Sequence, residues 1–88
     1  MIMKIYYSEL FAQKVAAQDE KVKKALKKKL MLLIENPRHP SLRVKKIKGQ
    51  KNIFEASITM SIRITWQYHD DGLLLRNLGE HDKTLGKP

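Results

Sequence analysis

Ile62-Arg63-Ile64-Thr65-Trp66-Gln67-Tyr68, then Asp70-Asp71-Gly72, then Leu73 to Leu78 with Gly79-Glu80-His81 behind it, is the stretch that decides the fold. Apolar and polar residues alternate through the first segment, the two-residue period of a half-buried strand. Asp-Asp-Gly is a hairpin turn with a glycine available for positive φ. The second segment reads as the returning strand. Ile62, Ile64, Trp66 and Tyr68 form the core set, leaving Arg63, Thr65 and Gln67 on the other face. Leu73-Leu74-Leu75-Arg76 is apolar in both registers, so its facing stays open; such a run fits a central strand covered on both sides, or one covered by a partner.

Two further strands precede this hairpin. Arg43 to Lys48 is turned back by Gly49-Gln50-Lys51-Asn52 onto Ile53 to Thr59. Phe54, Ala56 and Ile58 are the expected core residues of the latter, with Ile53, Glu55 and Ser57 opposite. Ile47 points inward if Lys46 and Lys48 point out. The open face then gathers Lys46, Lys48, Glu55, Ser57 and Arg63.

Toward the N-terminus, Ile2 to Tyr7 reads as a first strand. Ser8 is an N-cap for a short helix carrying Leu10, Phe11 and Val15. A longer helix starts near Asp19, whose carboxylate suits the positive helix end. Its apolar stripe is Val22, Leu26, Leu30 and Leu33, widened by Ala25 and Ile34, and Asn36-Pro37 stops it. Lys21, Lys23, Lys24, Lys27 and Lys28 mostly occupy the other side, read first as a solvated face, with direct RNA contact as the alternative. The tail from Asp82 to Pro88 is polar, with room for one helical turn. The expected fold is α+β, β-α-α-β-β-β with a further strand, an antiparallel sheet with two N-terminal helices packed on one face.

With 88 residues and 42% hydrophobic content, the chain is expected to form a single domain around one core, from residue 1 to 88. The net charge of +9 favours polyanionic partners: nucleic acid, an acidic protein or an anionic membrane surface. No apolar run approaches the ~18 residues that span a bilayer. The absence of cysteine excludes disulfides and thiolate metal sites. With no signal peptide in view, a cytoplasmic location is expected. No spacing of His, Asp and Glu suggests a metal site, and no glycine-rich phosphate loop is present.

Arg63 embedded in an apolar strand, and His81 after a strand-ending glycine, suit work on a phosphodiester. A guanidinium grips phosphate oxygens in a fork, and an imidazole titrates near neutral pH. RNA cleaves itself when its 2′-hydroxyl is deprotonated and aligned with phosphorus, so these groups need no cofactor. Glu55 can accept the 2′-hydroxyl proton or simply pair with Arg63 across the strands. His39 and His69, in a loop and near a turn, read as structural or incidental.

The ordered series Ile47-Lys48-Gly49, Phe54-Glu55-Ala56-Ser57-Ile58, Ile62-Arg63-Ile64-Thr65-Trp66 and Leu78-Gly79-Glu80-His81 resembles the RelE/ParE toxin superfamily. The resemblance implies a small toxin with a cognate antitoxin partner. In its RelE branch it implies ribosome-dependent cleavage of mRNA; in its ParE branch, inhibition of DNA gyrase. It puts Arg63 at the phosphate-holding arginine and His81 where members carry an arginine or a general-acid histidine. Arg63, His81 and Glu55 are thus the candidate catalytic residues. Arg43, Lys45, Lys46, Lys48, Lys51 and Arg76 are the candidate RNA contacts. The chain departs from the pattern at Glu55 and Ser57, where some members carry lysines, and in lacking a C-terminal tyrosine. A catalytically inactive binding module of the same fold is the remaining alternative.

Overall fold

The computed structural model describes residues 3–88. In chain order the elements are β1 (Lys4–Tyr7), α1 (Glu9–Ala16), α2 (Glu20–Glu35), a 3₁₀ turn (Pro40–Leu42), β2 (Lys45–Lys46), β3 (Phe54–Ser57), β4 (Ile62–His69), β5 (Gly72–Glu80) and α3 (His81–Gly86). The expected start of the first strand at Ile2 lies outside the described residues. Both helix starts follow from local chemistry. The Ser8 hydroxyl accepts from the Phe11 N–H and the Asp19 carboxylate from the Val22 N–H, each satisfying an otherwise open donor in the first turn.

The five strands form one sheet in the order β1-β5-β4-β3-β2. The hairpins β2–β3, β3–β4 and β4–β5 are antiparallel as expected. The expectation of a purely antiparallel sheet is corrected at one edge: β1 runs parallel to β5, from Lys4 opposite Gly72 to Tyr7 opposite Leu75. The reason is that β5 is apolar in both registers and needs neighbours on both sides. α1 and α2 carry the chain across one face between β1 and the meander, which leaves β1 free to fill the open side. Gly72 permits the pairing. A Cβ there would stand 1.8 Å from the Lys4 carbonyl oxygen. The positive φ of this turn belongs to Asp70, at 49°, and not to the glycine.

Phe11, Leu26 and Leu33 of the helices bury against Ala56, Ile64, Trp66, Leu73, Leu75 and Leu78 of the sheet. Phe54 stacks on Trp66 with centroids 4.9 Å apart. Tyr68, expected in the core, is 51% exposed and meets Trp66 only edge-on at the rim. A register break between Thr65 and Trp66 leaves Arg76 without a cross-strand partner. This bulge resets the alternation of β5, so that Leu73 and Leu75 share the core face with Leu78 while Asn77 falls opposite Thr65 on the other. α3 packs over that second face, with Thr84 fully buried. Among the described residues no helix is long and apolar enough to cross a membrane.

Candidate functional site

The face of the sheet turned away from α1 and α2 carries Lys45, Glu55 and Thr65 in one cross-strand row, and Ser57 and Arg63 in the next. Lys46 pairs with Phe54 and so lies on the opposite face, which corrects the expected pairing of Lys46 and Lys48 on the open face. Ile47 misleads because it is buried yet in phase with Lys45: its N–H donates to the Ile53 carbonyl and continues the Lys45–Glu55 register, so its burial does not mark the helix-covered face. Ile53, expected on the face of Glu55, pairs with Ile47 just before β3 begins and is buried there rather than open.

Glu55 is on the expected face but is not open to solvent: it is 2% exposed beneath the start of α3. Oε1 lies 3.7 Å from Lys45 Nζ, and Oε2 lies 3.0 Å from His81 Nδ1. Those last two atoms are buried and in contact without the alignment of a good hydrogen bond. The His81 side chain as a whole is 40% exposed, so its solvent-facing part is the rest of the ring, which carries Nε2. Thr65 Oγ1, beside Glu55 in the row, is also buried and has no hydrogen-bond partner among the described residues.

Arg63 does not bridge to Glu55. Its Nη1 donates to the carbonyls of Thr59 at 2.8 Å, Met60 at 3.0 Å and Ile62 at 3.2 Å. The β3–β4 loop therefore fixes the guanidinium by one corner. Nε and Nη2 make no hydrogen bond among the described residues, which leaves a planar fork for an anion.

Arg43, Lys45, Glu55, Ser57, Arg63 and His81 together line a cleft of about 270 Å³. A second cavity of about 300 Å³ adjoins it through Arg43, Ser57 and Arg63 and reaches Lys29 and Met60. Arg43 stands at the junction in a left-handed backbone conformation, φ 48°, just after the 3₁₀ turn. Lys29, in sequence one more lysine of the α2 run, is half-buried where Lys27 and Lys28 are exposed, and it alone of the three lines this cavity.

The structure thus brings Arg43 and Lys45 together with Arg63, Glu55 and His81. Lys46, Lys48 and Lys51 lie outside the cleft, exposed on β2 and the turn that follows. Arg76 is not in the cleft either: its guanidinium is held by Gln67 Oε1 and by the backbone oxygen of Pro88. His39 Nδ1 accepts from the Ser41 N–H and caps the 3₁₀ turn. His69 packs edge-on against Tyr6.

No protein-family model matches the sequence, and no curated protein matches it. Solved structures do. YafQ of E. coli strain BL21(DE3) superposes with a TM-score of 0.77 at 20% identity, over 93% of this chain and 97% of that one. The YoeB dimer of Staphylococcus aureus gives 0.78 at 15% identity, over 92% and 99%. A chain of the RelB–RelE antitoxin–toxin complex of Methanococcus jannaschii gives 0.68 at 17% identity, over 94% and 99%. The class defined by the fold is therefore the RelE-like toxin fold, over nearly the whole chain. At these identities the likeness is one of architecture.

Proposed function

We propose that this chain is the toxin of a type II toxin–antitoxin pair, an endoribonuclease that cuts ribosome-bound mRNA in the cytoplasm. The observation that carries the reading is the convergence of Arg63 and His81 on one basic cleft, with a buried carboxylate behind the imidazole. A fold hosts many functions, so the argument rests on the site. The solved structures that share the fold include toxins in complex with antitoxins, which supports a cognate antitoxin as partner.

In this mechanism the free edge of the Arg63 guanidinium holds the non-bridging oxygens of the scissile phosphate and stabilises the charge that builds there. The 2′-oxygen attacks phosphorus, and its proton passes to water in the open cleft. The P–O5′ bond breaks, and His81 Nε2 protonates the departing oxygen. The products are a 2′,3′-cyclic phosphate and a 5′-hydroxyl. Glu55, buried with Lys45 near one oxygen and His81 near the other, serves by orienting the ring electrostatically. This differs from a role as exposed base. Arg43 and Lys45 attract the message from within the cleft, while Lys46, Lys48 and Lys51, outside it, add only to the overall positive field.

Purified protein added to translating ribosomes should generate new message ends. Intact message, together with gyrase inhibition that survives His81→Ala, would instead favour a binding inhibitor of the ParE kind. Neither effect, with no growth arrest on expression, would leave the inactive module.

A further inference from the structure

The general acid proposed above stands on a precarious element. α3 is six residues long, and its N-cap, Glu80, makes no side-chain cap hydrogen bond. A helix this short does not persist on its own propensity, so something else must hold it to the sheet. One hold is Thr84, whose methyl carbon rests over Gly79. Two more come from the chain beyond α3. Asn77 Nδ2 donates to the Lys87 carbonyl at 2.7 Å, and Arg76 Nε donates to the Pro88 backbone oxygen at 3.0 Å. Asn77 is itself buried, and its Oδ1 accepts from the Leu78 N–H, so its amide is fixed at both ends. Gln67 Oε1 fixes the Arg76 guanidinium from β4. The β-bulge frees Arg76 from cross-strand pairing and aims Asn77 at the face that α3 covers.

We infer that Arg76 and Asn77 are positioning residues: they clamp residues 87 and 88, thereby dock α3 on the sheet, and so hold the His81 ring against Glu55. The consequence for cleavage rests on the nuclease reading; the clamp itself does not. This assigns Arg76 to the internal architecture of the site and not to the RNA surface.

The test uses Arg76→Met, which keeps an apolar stem and removes the donors, Arg76→Lys, which restores one donor, and Asn77→Ala. Two nuclear Overhauser contacts report the docking: the His81 ring to the Glu55 side chain, and the Thr84 methyl to the Gly79 α-protons. Both should fall to about half or less in Arg76→Met and Asn77→Ala, through local opening of α3. Both should be largely restored in Arg76→Lys. Trp66 emission should stay native throughout. If Arg76→Met loses that native signal, Gln67→Ala, which removes only the second support of the guanidinium, should weaken the same two contacts in an intact sheet. Contacts undiminished in the folded variants overturn the clamp.

Where the wild-type protein cuts message, Arg76→Met should lower kcat about tenfold at unchanged KM, since the message-binding cations are untouched. Unchanged kcat despite weakened contacts would overturn the positioning role. If the wild-type protein cuts nothing, the nuclease reading fails, and the two contacts still decide the clamp.

Discussion

Replacing Gly72 by alanine tests how β1 joins the sheet. The new Cβ would lie 1.8 Å from the Lys4 carbonyl oxygen and 2.6 Å from its carbon. Ordinary contact begins near 3.4 Å, and both obstructing atoms are backbone, so no side-chain rotation relieves the clash. β1 must withdraw by more than an ångström. That breaks the Lys4 N–H to Asp71 carbonyl bond and loosens the register from Lys4 to Tyr7. Losing a few net hydrogen bonds and the packing of Ile5 should cost about 2–4 kcal/mol. At the usual stability per residue, 88 residues carry only about 4–13 kcal/mol in total, so urea unfolding should show a large drop in midpoint. The melting temperature should fall by roughly 10–20 °C. Gly79→Ala is the control: its Cβ would meet only the Thr84 methyl at 3.7 Å, and the strand should tolerate it within about 1 kcal/mol. Equal stability of the two variants would refute the close-approach argument.

Three further outcomes follow from the site and the sheet edge. Arg63→Lys should keep message affinity within a few-fold, yet lower kcat by about 10²-fold, because an ammonium cannot reproduce the planar fork; single-turnover cleavage against binding separates the two. Glu55→Gln should lower kcat about tenfold or more while leaving KM nearly unchanged, because it disturbs the orientation of His81 and not the RNA contacts. At the edge, the Tyr6 hydroxyl donates to Asp71 at 2.7 Å. That bond raises the Tyr6 phenol above its ordinary value and lowers the Asp71 carboxyl below its own. The Asp71 contribution is therefore present above the unfolded carboxylate range and lost as pH falls through the folded value. The Tyr6 contribution is present below its unfolded value and lost as pH rises through the folded one. Tyr6→Phe should flatten both limbs of the melting temperature against pH; a uniform offset at every pH would contradict the coupling.

The meander was legible because Arg63 to Gln67 alternates cleanly and turn residues punctuate it. Ser8 and Asp19 announced the helices through cap chemistry that acts within four residues of chain. What the sequence hid was longer in range or irregular. No local signal says that β1 lies parallel to β5; that depends on which strand is left without a neighbour. The bulge at Arg76 resets alternation, so Leu73 to Arg76 cannot be assigned by period. Lys45 rather than Lys46 shares a face with Glu55 because Lys45 pairs with Glu55 and Lys46 with Phe54, a register that the burial of Ile47 disguises. The burial of Glu55 could not be read from β3 at all, because it is imposed by α3 about 25 residues later.

The proposed nuclease requires the His81 imidazole and the Arg63 guanidinium to act on one phosphodiester. The most direct measurement is the chemistry of message ends after incubation with translating ribosomes, for the wild-type chain and for His81→Ala. The wild-type chain should leave 2′,3′-cyclic phosphate and 5′-hydroxyl ends, and a folded His81→Ala variant should cut about 10²–10⁴-fold more slowly. Cleavage of equal rate by the two proteins, or ends bearing a 5′-phosphate, would contradict that requirement.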